Sequence, residues 1–370
     1  MRADVAIVGA GMAGASLAAE LAPHLSVVIL EAESQPGYHS TGRSAAFWSE
    51  TYGGPLIQPL TSASHGLLAS PPPEFSDRPF LSPRGAIHIA DEEGAPLLDR
   101  MSATFQGSVA LERLDRHALD ARIPGLRPSW AHGIAEASCA DIDVAGLHHA
   151  YLKAARAAGA TLLVNARMER ARRTGEGWRL ETSAGEVRAA ILVDAAGAWA
   201  DQVAQAAGMA PMGVRPYRRT IAQLRVDPPA PADLPLVVDA LGRFYFKPEA
   251  GGRIWLSPHD ETPCDACDSA AEEQDVALAI DRLERVVDWS VERIERKWAG
   301  LRSFAPDRLP VYGFADGQRD FFWCAGQGGF GIQTAPAAAK MAAALLLGRA
   351  PDPSVAHIDP APYLPKRFGV

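Results

Sequence analysis

Gly9, Gly11 and Gly14 stand in a spacing that handles phosphate with backbone rather than with side chains. They lie in Gly9-Ala10-Gly11-Met12-Ala13-Gly14, between the apolar run Asp4–Val8 and an alanine-rich helical stretch reaching about Leu21. Gly9 permits the tight turn out of a strand, and Gly11 lets the chain approach a pyrophosphate closely. Gly14 allows helix and strand to pack, while the helix start at Met12 and Ala13 turns its amides and dipole toward the phosphates. A second strand, Ser26–Leu30, delivers Glu31, which falls 22 positions after Gly9. A carboxylate there accepts hydrogen bonds from a ribose diol and repels a 2′-phosphate. These residues predict a dinucleotide site in a β-α-β unit.

Two later stretches favour FAD over a nicotinamide cofactor. Val193-Asp194-Ala195-Ala196-Gly197-Ala198-Trp199 puts small residues directly after a buried strand, where a long extended dinucleotide needs close backbone contact. Gly326-Gln327-Gly328-Gly329-Phe330-Gly331 is another glycine-rich passage from strand to helix. Its amides and helix dipole suit the pyrimidine edge of a flavin, where negative charge develops on reduction.

The elements that must carry these residues alternate in type. A helix over Ile142–Gly159 is followed by a strand at Thr161–Asn165, a hairpin (Trp178–Thr182 and Glu186–Ala189, turning at Ser183-Ala184-Gly185) and a separate buried strand, Ile191–Asp194. From about 215 to 305 the pattern becomes strands at Thr220–Val226, Arg243–Lys247, Arg253–Leu256 and Lys297–Arg302, with one helix at about Glu272–Arg293. The chain then returns to strand (Phe321–Cys324) and helix (Thr334–Leu347). The expected fold is α/β: a Rossmann-like FAD-binding domain from 1–75, 140–214 and 306–370, interleaved with a mostly antiparallel β-sheet substrate domain from 76–139 and 215–305.

Composition narrows the function classes. A net charge of −8 over 370 residues argues against a nucleic-acid partner, which would want a basic face. No run approaches the roughly 20 apolar residues of a membrane span. The opening residues run straight into a strand and read as structure, not as a signal peptide. Four cysteines make no disulfide framework, so a reducing cytoplasm is expected, at most peripheral to the inner membrane. Cys264 and Cys267 form a lone CxxC which, even with His259 nearby, lacks the ligands of a zinc site; it reads as a surface loop, and no metal is expected.

Five stretches together resemble the FAD-dependent D-amino acid oxidase and dehydrogenase family, most of all the bacterial D-arginine dehydrogenases. They are Gly37-Tyr38-His39-Ser40-Thr41-Gly42-Arg43-Ser44-Ala45-Ala46, Ala140-Asp141-Ile142-Asp143, Phe244-Tyr245-Phe246-Lys247-Pro248, Trp298-Ala299-Gly300-Leu301-Arg302-Ser303-Phe304 and Gln327-Gly328-Gly329-Phe330-Gly331-Ile332-Gln333-Thr334. The resemblance implies that Ser40, Thr41, Arg43, Ser44, Ala45 and Ala46 join the first glycine motif, Ala195, Ala196, Gly197 and Trp199 in holding FAD. It adds the run from Gly328 through Gly329, Phe330, Gly331, Ile332 and Gln333 to Thr334. It also implies hydride transfer from the substrate Cα to the flavin and an imino acid that hydrolyses to a 2-oxo acid and ammonia. Trp298–Phe304 contains no cysteine to tether the flavin, so FAD is expected to be non-covalent.

Such a substrate needs its carboxylate gripped, and a planar guanidinium grips it in bidentate fashion. Arg302 matches the family's carboxylate-binding arginine. Arg218 and Arg219 are neighbours on a strand, so only one faces the site, and the family register selects Arg219. Tyr245, between Phe244 and Phe246, points opposite to both; with Tyr52 it matches the family's substrate-side tyrosines. No general base is assigned, and His39, His88, His148 and His149 read as structural or surface residues. Two departures concern the side-chain pocket. Ala86, after Ser82-Pro83-Arg84-Gly85, stands where D-arginine dehydrogenases carry a glutamate for the substrate cation, and Phe47 replaces their pocket histidine. With Trp48 and Gly329 completing the pocket, a neutral or hydrophobic D-amino acid is expected rather than a cationic one. Arg243 leaves an acidic substrate open. A flavin-dependent 2-hydroxy acid dehydrogenase and an FAD-carrying subunit of a larger amine-oxidising complex are the alternatives; the electron acceptor, a quinone, another acceptor or oxygen, is not legible in the sequence.

Overall fold

In a computed structural model, which describes residues 1–369, two large sheets divide the chain. The first has a parallel centre in the order Thr161–Leu163, Val27–Leu30, Arg2–Val8, Gly185–Asp194 and Phe321–Ala325. These strands are apolar on both faces because helices cover both sides. On one side lie Met12–Leu21, Val144–Ala157 and Ala335–Leu347, whose alanines let the helices approach closely. Ala200–Ala206 helps to cover the other. In register, Val8 pairs with Leu30 and with Asp194, and Asp194 with Trp323. The carboxyl ends of these strands therefore reach one common edge, the place where open α/β sheets bind ligands.

The hairpin and the buried strand expected to be separate share one continuous strand, Gly185–Asp194. Its first half pairs antiparallel with Gly177–Thr182, and its second half pairs parallel with Phe321–Trp323. Burial alternates along the first half and becomes continuous along the last three residues, so one strand looks like two when only its pattern is read.

The second sheet is mostly antiparallel and is built around two long strands, Arg215–Asp227 and Ser290–Phe304, paired along nearly their whole length. Leu236–Asp239 and Ala86–Ala90 form a parallel pair within it. The helix expected over Glu272–Arg293 ends at Glu284, and Ser290–Arg293 belongs to the long strand. Ladder pairing with Arg225–Asp227 outweighs the helical preference of that charged segment. A short three-stranded sheet joins Phe47–Trp48, Ala140–Ile142 and Leu81–Pro83. No helix among the described residues is long and apolar enough to cross a membrane.

Candidate active site

A long groove opens at the common strand edge. Gly9, Gly11, Met12, Ala13 and Glu31 line one end, and Arg219, Tyr245 and Arg302 the other. Two glycines of the first motif are required sterically. A Cβ on Gly9, whose φ is +103°, would fall 2.4 Å from the Ala195 carbonyl oxygen. One on Gly14 would fall 2.0 Å from the Gly9 carbonyl oxygen, so Gly14 serves helix-strand packing and does not face the groove. Gly11 is the N-cap residue of Met12–Leu21 and leaves no side chain over the first amides. The Met12 amide instead donates to Thr41 Oγ1 at 3.0 Å. The Glu31 carboxylate accepts the Ala10 and Glu33 amides at 3.0 Å each, which holds it at the lip of the groove.

Ser40, Thr41, Ser44, Ala45, Ala195, Ala196, Gly197, Trp199, Gly328, Gly329, Gly331 and Ile332 also line the groove. Five residues expected at the cofactor stand otherwise. Arg43 lines the groove with part of its length, but its guanidinium reaches the Ser269 carbonyl (2.7 Å) and Asp268, stapling the 37–46 loop to the second sheet. Gln333 is buried, accepting the Ser49 amide and donating to Thr61 Oγ1 and the Tyr52 carbonyl. Thr334 donates to the Phe330 carbonyl. The Phe330 ring packs against Tyr52 and Phe304, and the Ala46 carbonyl accepts the Ile142 amide. His39, its ring tilted against Trp199 at 4.5 Å, and Arg167–Glu169 line the groove without having been expected there.

At the far end two arginines meet. Arg219 is opposite Gly300 across the long strand pair, where a Cβ would crowd Arg43 Cβ at 3.3 Å. Its Nε donates to the Asp260 carbonyl at 2.7 Å and its Nη2 to Glu261 at 3.2 Å, while Nη1, though buried, has no partner among the described residues. Burial, and then the charge of Arg302, pull its pKa down to about 10, so it stays cationic at neutral pH. Arg218 points the other way and pairs with Glu272 and Asp275, as strand alternation requires. Arg302 makes neither a hydrogen bond nor an ion pair with any other described residue; its guanidinium carbon lies 5.8 Å from the Tyr52 ring centroid. Gly329 makes that approach possible, since a Cβ there would meet the Tyr52 hydroxyl at 2.4 Å and Arg302 Nη1 at 3.1 Å.

Beyond Arg302 lies a small cavity of about 40 Å³ walled by Phe47, Ser49, Tyr52, Ala86, His88, Leu236, Val238, Tyr245, His259 and Arg302. The hydroxyls of Tyr52 and Tyr245 have no partner among the described residues. Tyr245 faces this cavity while Phe244 and Phe246 enter the core on the other side of the sheet. Trp48 is not in it. Phe47 and Trp48 are consecutive on a strand and point to opposite faces, and the indole is buried, donating to the Thr61 carbonyl at 3.0 Å. Arg243 is also elsewhere, its guanidinium spent on Asp239 and Asp91, which removes the reason for an acidic substrate.

The sequence profile of the family described as DAO, FAD dependent oxidoreductase, matches residues 4–345. The chain belongs to this family. Among its relatives is a glycine oxidase of Pseudomonas aeruginosa, 27% identical over 99% of both chains. The crystal structure of glycine oxidase from Geobacillus kaustophilus superposes with a TM-score of 0.85 at 26% identity, covering 98% of each chain. An L-proline dehydrogenase from P. horikoshii shares the fold at a TM-score of 0.85 and 20% identity, over 100% of this chain and 98% of that one. These relatives are glycine oxidases and a related dehydrogenase rather than the D-arginine dehydrogenases that the motifs brought forward.

The oxidoreductase's own residues fit FAD. The glycine cradle, the Glu31 carboxylate at one end and the continuous lining from Gly9 to Arg302 suit a long dinucleotide whose ring end reaches the two arginines. Three polar residues at the cavity were not recognised from sequence as parts of the site. His88, on the same face of its strand as Ala86, and His259 line the cavity, and Glu136 lies behind His88. The Glu136 carboxylate is wholly buried and accepts Ser49 Oγ (2.9 Å), Thr51 Oγ1 (2.5 Å) and the Glu50 amide (2.6 Å), with His88 Nε2 at 3.6 Å. Burial raises its pKa, but His88, Thr51 and Ser49 together outweigh burial and hold it below the ordinary 4.5. A lowered folded pKa stabilises the protein above that ordinary value, and the contribution is lost as pH falls through the folded one. Glu136→Leu strands three donors, so thermal or denaturant unfolding should show a loss of about 3–5 kcal/mol at pH 7 that shrinks toward pH 3.

Proposed function

We propose that this oxidoreductase oxidises the Cα–N bond of a small neutral amino acid, of D configuration where the substrate is chiral. One observation carries the reading: a cationic Arg302 without any counter-charge stands beside the orphan Nη1 of Arg219, at the end of a flavin-sized groove. The uncompensated Arg302 guanidinium, beside the free Nη1 of an Arg219 already paired with Glu261, calls for an anion, and a carboxylate accepts from it in bidentate fashion. Tyr52 and Tyr245 add two neutral donors to the same place. With the head held there, the rest of the substrate extends into the small cavity. That space takes about three waters' worth of atoms, at roughly 10–15 Å³ for each. Such a volume favours no side chain or a short one, and Ala86 offers nothing to a cation, which would remain unpaired.

FAD, when bound, supplies the acceptor for a hydride and its two electrons. The protein's own residues fix the carboxylate, exclude water through Phe47, Leu236 and Val238, and disfavour a second positive charge near the two arginines, which favours the neutral amine. Loss of hydride from Cα and of a proton from nitrogen leaves an imine, and for a primary amine water then releases the 2-oxo acid and ammonia. The D configuration is carried by the motif resemblance, and the small size by the cavity and by the glycine oxidase relatives.

Anaerobic mixing of the FAD-loaded enzyme with a panel tests this. Glycine, D-alanine and D-proline should bleach the flavin fastest, ahead of D-methionine and D-phenylalanine, with D-arginine about 100-fold or more slower in kcat/KM and 2-hydroxy acids inert. A clear preference for D-arginine, or for the L-enantiomers, would end the proposal.

A further inference from the structure

The turn after strand Arg253–Ser257 secures the arginine and also shapes the cavity. The Asp260 carbonyl and the Glu261 carboxylate hold Arg219, and the Asp260 carboxylate accepts the Thr220 amide (2.7 Å) and hydroxyl (2.9 Å). Between these anchors His259 sits in the left-handed region at φ +55°, its amide donating to Ser257 Oγ at 3.1 Å. Non-glycine residues adopt that conformation where the surroundings impose it, and such positions cluster at binding sites. Here it brings the imidazole into the cavity wall, edge-on to Tyr245 at 5.6 Å and in company with Arg302.

The tautomer follows from one contact. His259 Nδ1 lies 2.8 Å from the Gly242 carbonyl oxygen. A carbonyl only accepts, so Nδ1 carries the proton and Nε2 presents a lone pair. Burial first, then the charges of Arg219 and Arg302, push the pKa of this ring down to about 2, which keeps it neutral. Nε2 has no partner among the described residues. The neighbouring guanidinium can only donate, and the two phenols are donors for the carboxylate. An acceptor without a donor thus stands beside the donors Arg302, Tyr52 and Tyr245.

We infer that His259 is a substrate-binding residue whose Nε2 accepts one N–H of the substrate's amino group when the carboxylate lies on Arg302. This rests on the amino-acid reading above. The ring is an acceptor and not a base, so it holds the amine that has already lost its extra proton. It also sets the substrate class: primary and secondary amines offer an N–H once neutral, whereas a tertiary amine offers none.

Three variants and two ligands test this in the FAD-loaded enzyme. His259→Leu should lower kcat/KM for the best amino acid of the panel by about 30- to 100-fold. Its affinity for acetate, which has a carboxylate and no amine and is followed by the flavin spectrum, should change by less than about 3-fold. His259→Gln, whose amide oxygen can stand where Nε2 does, should recover about 10-fold or more of the lost kcat/KM, whereas His259→Asn, which reaches only the Gly242 side, should not. If His259→Leu fails to hold FAD, the Gln and Asn pair decides by itself: Gln above Asn supports the inference and equality overturns it. Equal losses for amino acid and acetate, or turnover within about 2-fold of wild type, would also overturn it. A wild-type enzyme that binds no acetate and is bleached by no amino acid would instead remove the reading on which the inference rests.

Discussion

Arg302→Met should reduce kcat/KM for the preferred amino acid by about 10²- to 10³-fold while leaving the folded, FAD-loaded protein intact. Arg302 has no carboxylate, carbonyl or hydroxyl partner among the described residues, so its removal strands nothing in the free enzyme. It also relieves repulsion with Arg219, whose pKa is held down in part by the Arg302 charge. The melting temperature should therefore stay level or rise, and the flavin content should match wild type. Arg302→Lys keeps the charge but loses the planar fork, and should recover only part of the activity. Arg219→Met should behave differently, because the Asp260 carbonyl and Glu261 lose a donor there, so stability should fall along with activity. Steady-state kinetics beside thermal melts of the three proteins check this contrast. Equal behaviour of the two arginines would contradict the division between a free grip and an anchored one.

Gly9→Ala should yield a protein that binds FAD about 100-fold more weakly or is isolated without it. The methyl would lie 2.4 Å from the Ala195 oxygen and 3.2 Å from Ala196 Cα, both backbone atoms that cannot rotate away. The position also has a φ of +103°, which an L-alanine strongly resists. Relief requires the first turn and the Ala195–Gly197 turn to separate, and both line the groove. Absorbance of the purified protein and flavin titration would show the loss. A yellow, tightly loaded Gly9→Ala enzyme would mean that the two turns need not touch for FAD to bind.

Where function was legible in the sequence, the relevant contacts were local. The Gly9–Gly14 spacing and Glu31 declare a cradle because turn, helix start and second strand follow one another within a few dozen residues. Tyr245 could be aimed because alternation along a strand is a local rule, the same rule that separates Trp48 from the pocket once Phe47 is placed in it and that admits only one of Arg218 and Arg219, the family register selecting Arg219. The far wall was not legible. His88 arrives through the parallel pairing of Ala86–Ala90 with Leu236–Asp239, Glu136 through the strand beside it, and His259 through a left-handed turn. Each is a single residue with no spacing to mark it. The helix over Glu272–Arg293 was overextended for a related reason: its last residues are polar in a way that suits a helix, and only the long partner strand shows that they belong to a ladder. Gln333 and Thr334 sit beside true groove residues in sequence, yet helix entry turns them into the core.

The central claim is tested most directly by a crystal structure of the FAD-loaded enzyme with acetate bound. The account predicts both carboxylate oxygens at about 3 Å from the Arg302 guanidinium, within reach of the Tyr52 and Tyr245 hydroxyls, and the methyl group directed into the cavity beside Ala86 and His259. Acetate bound elsewhere, with Arg302 turned out to solvent or paired with a protein carboxylate, would contradict it.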